Sequence, residues 1–204
     1  MSSRDWRWKI SEAIERIRTR YDFIGRKTGA PFLAIVYPPE AETAVLKEWR
    51  TQCATLQPEI DCRSIDVLAE TQKLLSDIGA DNVVASMADP MPGSDPHSEL
   101  GGLWISGIAE VVGRELANRG PGRPVVSLER MAALYPAAGP RDVMQRLWDS
   151  AQSTLNGPVV VMIPGNVVES RTYRFVGERD EFMYRGDLLY SPTRAYRHEH
   201  LRPF

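Results

Sequence analysis

The chain has 204 residues, 43% hydrophobic and 25% charged, with a formal net charge of -2. That balance excludes a disordered chain, a collagen-like fibre and a disulfide-stapled miniprotein, and the length suits one domain of ordinary size. The near-neutral total hides a pattern, because residues 1–29 carry a net +4, residues 30–170 a net -8 and residues 171–204 a net +2.

A first helix is predicted over residues 4–21, where Trp6, Ile10, Ile14, Ile17 and Tyr21 form an apolar stripe at spacings of three and four. The run from Pro31 to Tyr37 is apolar throughout and too short for a helix, which suits a strand covered on both faces in a parallel sheet. Pro38, Pro39 and Glu40 then open a second helix that Pro58 closes. Cys62 to Leu68 reads as the next strand, with a helix over 69–78 ending at Gly79. Residues 86–96 hold Pro90, Pro92, Gly93 and Pro96 and are expected to be a mobile or partner-facing loop.

A helix over 97–118 follows, then a strand from Pro124 to Ser127, a helix from Pro140 through Leu155 and a strand from Pro158 to Ile163 that ends at Pro164 and Gly165. Strands alternating with helical segments call for an α/β fold: a mainly parallel sheet with helices on both faces. Beyond residue 165 the pattern alternates polar and apolar over 173–176 and 182–184 around a turn at 177–180, a C-terminal antiparallel hairpin. One α/β domain is expected over 1–190, with a basic, loosely ordered tail over 191–204.

No apolar run approaches the roughly 18 residues that span a bilayer, and the N-terminus has no apolar core of a signal peptide. A cytoplasmic protein without membrane contact is expected. Cys53 and Cys62 offer neither a CxxC motif nor a zinc quartet and are read as reduced structural thiols.

Nucleotide chemistry is the first candidate for such a sheet. Gly25, Lys27, Thr28 and Gly29 lie before the first buried strand, whereas a Walker loop follows its strand. The place where that loop belongs reads Tyr37, Pro38, Pro39, Glu40, so a P-loop-like topology without a Walker A loop is expected, with no cofactor. Gly101 with Gly102 and Gly120 with Gly122 read as helix-start and helix-end punctuation. His198 and His200 could ligate from one strand face but lack a third ligand, and His97 reads as a residue near a helix start. No metal site is expected.

Asp66, Glu70 and Glu129 stand at strand ends, where α/β enzymes place catalytic groups, and Glu129 mimics a Walker B acid in placement. The plain alternative for Glu129 is an exposed carboxylate capping a nearby helix. Arg194, Tyr196, Arg197 and Arg202 in the tail could stack on and neutralise nucleic acid, or dock an acidic protein partner.

Gly157 and Pro158 lead an apolar strand into Pro164 and Gly165, followed by Tyr173 to Gly177 and then Asp180 to Leu188 with Tyr184 and Arg185. This succession resembles the C-terminal signature of BrxB-like proteins of the BREX bacteriophage-exclusion systems, with Val176 before Gly177 where that family has Phe. The strand from Pro124, then Leu134, Tyr135 and Pro136, then the helix from Val143 to Leu155, fit the same pattern. The resemblance spans 124–188. It implies a non-catalytic scaffold or adaptor beside a PglZ-like phosphatase-domain protein, a DNA methyltransferase and a large ATPase, any contact with DNA being indirect. It transfers no catalytic residue, and Pro158, Pro164, Gly165, Gly177, Tyr184 and Arg185 are then fold and surface determinants. A degenerate nucleotide-binding regulator or enzyme, and a DNA-binding accessory protein, are the alternatives.

Overall fold

A computed structural model describes residues 5–24, 31–150, 155 and 157–189. Helix α1 (Asp5–Arg20) buries Trp6, Ile10, Ala13, Ile14 and Ile17, the stripe its spacing predicts. Strand β1 (Phe32–Tyr37) is buried at every position. Its alternate side chains serve two cores, since successive residues of a strand point to opposite faces. Phe32, Ala34 and Val36 face one core, and Leu33, Ile35 and Tyr37 the other.

After a 3-10 turn at Pro39–Ala41, α2 (Glu42–Ala54) crosses to β2 (Ile60–Asp66), which leads into α3 (Val67–Ile78). Next come α4 (Ala80–Ala88), α5 (Pro96–Ala117), β3 (Arg123–Glu129), α6 (Pro140–Ser150) and β4 (Val159–Glu169). The chain then makes β5 (Thr172–Phe175), β6 (Arg179–Phe182) and β7 (Gly186–Leu188). Five strands run parallel in the order β2-β3-β4-β1-β7. Side chains of α1 and α2 join the core on one face of the sheet, and those of α3, α5 and α6 the core on the other. The α/β fold with helices on both faces is what the alternating apolar runs predict.

Several features differ from the sequence reading. Residues 86–88 are helical, because α4 runs to Ala88 and leaves only Asp89–Asp95 as loop. Pro96 sits in the first turn of α5, where its missing N–H costs nothing, and Asp95 caps that helix by accepting from the Ser98 N–H at 3.2 Å. Strand β2 ends at Asp66 rather than Leu68, because the Asp66 carboxylate caps α3 and accepts from the Ala69 N–H at 3.3 Å. Gly101 and Gly102 lie inside α5, and a Cβ on Gly101 would collide with the Ala137 carbonyl.

A further difference concerns β4. It does not stop at Pro164 and Gly165; it changes partner there. Pro164 is the last residue paired with β1, opposite Tyr37, and Gly165 is the first paired with β5, opposite Phe175. A Cβ on Gly165 would run into the Arg174 carbonyl, so only glycine lets the two backbones meet. The hairpin of β5 and β6 turns through Val176 and Gly177, both at positive φ (47° and 83°), slightly ahead of the expected 177–180. The short parallel strand β7 beside β1 has no counterpart in the sequence reading.

Candidate functional site

The carboxyl ends of parallel strands are where α/β proteins gather ligand groups. Here Asp66 and Glu129 end β2 and β3 as direct register partners. Alternation turns Val125, Ser127 and Glu129 toward the α2 side, where Val125 joins the α1 and α2 core. Among these apolar neighbours runs a short polar file. The Ser64 and Ser127 hydroxyls are 3.2 Å apart, and Ser127 donates to Glu129 Oε1 at 3.4 Å. From α2, Arg50 reaches down and donates to Glu129 Oε2. Asp66 pairs with Arg130 at 3.3 Å, and Arg130 itself sits in the left-handed region at φ 58°.

Glu129 is completely buried, so the expected exposed capping carboxylate is not what the fold makes of it. The capping role falls to Asp66 instead. Both oxygens of Glu129 are committed, one to a hydroxyl and one to a guanidinium. Glu70 lies in the first turn of α3. Above the strand ends opens a cleft of about 670 Å³ whose lining includes Glu42, Lys47, Arg50, Thr51, Leu68 and Arg130. Tyr37, which ends β1 where a phosphate loop would start, donates to Glu42 Oε1 at 2.8 Å. The cleft lining therefore carries Lys47, Arg50 and Arg130 beside Glu42, while Glu129 lies buried and bound to Arg50.

No protein-family model, curated protein or solved structure matches this chain.

Among the described residues no group of three or more metal-ligating side chains occurs. His97 is exposed in the first turn of α5, and His198 and His200 lie outside the described residues. So do Gly25, Lys27, Thr28 and Gly29, and the tail residues Arg194, Tyr196, Arg197 and Arg202. No helix among the described residues is long and apolar enough to cross a membrane.

The signature residues fall around the hairpin. The Pro158 carbonyl accepts from the Val126 N–H at 3.1 Å, tying the entry of β4 to β3. Arg185, at φ 42°, lays its guanidinium 4.4 Å from the Trp148 ring centre on α6. Tyr184 is half-buried against the α5 and α6 core. A second polar knot, which sequence reasoning missed, fixes this hairpin to α6. Glu181 accepts from the Tyr173 hydroxyl at 2.7 Å, from the Arg141 N–H at 3.0 Å and from Arg179 Nε at 2.8 Å. Arg179 also pairs with Asp142 at 3.1 Å. Glu181 and Asp142 stand at the first turn of α6, where backbone N–H groups lack helical partners.

Three buried phenols bear on pH. Burial pushes Tyr21 up from its ordinary 10.0 to about 12, against the opposing pull of Arg123. Burial and the neighbouring carboxylates Glu42 and Glu181 push Tyr37 and Tyr173 upward as well. Below pH 10 these phenols are neutral in both folded and unfolded chains. Above it the unfolded chain ionises first, so stability falls as pH rises from 10 through about 12. Urea midpoints taken at about pH 9 and about pH 11 should show this fall, and Tyr21→Phe should lessen it, Tyr37 and Tyr173 still contributing. An unchanged midpoint would contradict it.

Proposed function

We propose that this chain is a non-catalytic scaffold of a BREX-type antiphage defence system, working in the cytoplasm and docking a PglZ-like partner. One observation carries the reading beyond the resemblance over 124–188. The acid at the end of β3 is fully buried and held by Arg50, with its second oxygen turned to Ser127. A carboxylate so engaged is withdrawn from metal ligation and from activating water, the tasks a strand-end acid performs in an α/β enzyme. The position of the phosphate loop is likewise filled by Tyr37, Pro38 and Pro39, and the two prolines offer no N–H to a phosphate.

The hairpin end supplies a surface of docking chemistry. Phe182 is 52% exposed with Arg171 5.2 Å from its ring centre, and aromatic residues with arginine are the common anchors of protein interfaces. Co-expression with the PglZ-like protein encoded beside it, followed by size exclusion at moderate salt, is expected to give one co-eluting complex. Separate elution of two folded proteins would overturn the reading.

A second reading, a degenerate nucleotide-binding regulator, is favoured by the cationic lip of Lys47, Arg50 and Arg130 at the strand ends. The same co-expression strain separates the two. Arg130→Ala should leave phage protection intact if the chain is a scaffold and abolish it if the cleft binds a regulatory nucleotide.

A further inference from the structure

Helix α4 buries none of its residues, and only its Val83 and Met87 rest against the core. Its outer side is apolar all the same. Val84 is 66% exposed, Ala85 and Ala88 are exposed, and Met91 just beyond the helix is 75% exposed. Helix α4 packs against α3 and α5, and Leu103 of α5 is itself half exposed. A surface helix ordinarily turns polar residues to water, so an apolar outer stripe marks a contact face.

The surroundings of that face are acidic. Residues 66–110 hold eight Asp or Glu against one Lys, a net of -7. Asp77, Asp81, Asp89 and Glu99 are exposed and make no ion pair among the described residues. An occupant that fits brings positive charge and apolar or aromatic anchors. Residues 190–204 carry that chemistry, with Arg194, Arg197 and Arg202 against Glu199 alone, set among Tyr196, Leu201 and Phe204.

The chain also leaves the sheet toward this face. Strand β7 runs parallel to β1, and the Leu189 N–H donates to the Ala34 carbonyl at 3.0 Å, so the chain passes Leu189 heading for the carboxyl ends of the strands. Helix α5 delivers the chain to the amino end of β3, which puts its start, and the loop Asp89–Asp95 before it, toward those same carboxyl ends. Leu188 belongs to the core that α5 covers. From β7 across to β2 the sheet is four strand steps wide, about 19 Å. Residues 190–204 reach about 50 Å when extended.

We propose that residues 190–204 dock across α4 of their own chain, the arginines against Asp77, Asp81 and Asp89 and the aromatic residues against Val84 and Met91. Each exposed ion pair adds little by itself. Tethering makes the contact effective, because it holds the segment beside its site at a concentration on the order of millimolar. Any other basic partner for this face then has to displace the chain's own segment.

The full chain tests this with p-benzoylphenylalanine in place of Tyr196, a photoreactive group that inserts into nearby C–H bonds, those of methionine above all. After irradiation and cleavage before Asp, the crosslink should fall on Asp81–Ala88 or Asp89–Ser94. In a mixture of isotopically light and heavy chains, both joined peptides should carry the same label. High salt should cut the yield several-fold, since it screens exposed charge. So should Asp77→Lys with Asp89→Lys, placed at the C-terminal ends of α3 and α4, where a cation favours the helix. Adding Arg194→Glu and Arg197→Glu to that variant should restore the yield. Crosslinks between light and heavy chains would mean docking on a second copy and would overturn the inference. No crosslink, a crosslink outside residues 81–94, or a yield indifferent to charge reversal would overturn it as well.

Discussion

Replacing Arg50 with alanine is expected to destabilise the fold by about 2–3 kcal/mol, below the roughly 3–5 kcal/mol of a fully buried ion pair broken from one side, because Arg50 itself is half exposed. The reason lies in an asymmetry of exposure. The Glu129 side chain has no exposure to solvent, whereas 54% of the Arg50 side chain is exposed. Losing Arg50 leaves a buried carboxylate with only the distant Ser127 hydroxyl, while the converse loss leaves a guanidinium that water can serve. Glu129→Gln should therefore be milder than Arg50→Ala, and the double variant should recover part of the deficit. Thermal melts check this, with a fall in Tm of roughly 5–10 °C expected for the Arg50 variant in a chain of this length. A wild-type Tm for Arg50→Ala would mean that Glu129 does not depend on its partner.

Glu181→Ala is expected to cost about 3 kcal/mol, since one truncation orphans several donors at once. Tyr173 is completely buried, so its hydroxyl loses its acceptor without access to water. The Arg141 N–H at the first turn of α6 and the Arg179 guanidinium lose theirs as well. Tyr173→Phe removes a donor together with its need, and about 1 kcal/mol should be lost there. The damage should be local as well as global. The hairpin holds Arg171, Arg174 and Arg179, and trypsin should nick it in the Glu181 variant under conditions where the wild type resists. Equal resistance in both proteins would show that other contacts hold the hairpin.

Much of this architecture was legible where one physical signal dominated. The apolar runs at 32–37 and 159–163 announced strands covered on both faces, and the spacing of Trp6, Ile10, Ile14 and Ile17 announced α1. Reading failed where tertiary contact decides. Pro164 with Gly165 looks like a stop, yet the glycine is there because β5 lies against it, which no local pattern reveals. Strand β7 is three residues long, and its pairing rests on the close approach of Gly186 to the Phe32 backbone. Of the candidate site, Asp66 and Glu129 were visible as strand-end carboxylates, but not their partners. Arg50 carries no signal of its own in the sequence, and only the fold brings it from α2 onto Glu129 at the end of β3.

The three rims of the sheet share a property with consequences for how the protein meets others. Strand β2, the outer strand on one side, carries Asp61 and Arg63, and Arg63 folds over to donate to the Glu115 and Asn118 carbonyls at the end of α5. Strand β7 on the other side is three residues long, and β6 at the rim of the hairpin reads Arg179, Asp180, Glu181, Phe182. Short or charged rims disfavour the addition of a foreign strand. A chain so guarded resists stacking into ribbons when concentrated, and it leaves recognition to side chains, where sequence can choose the companion, rather than to backbone amides that would accept any extended peptide.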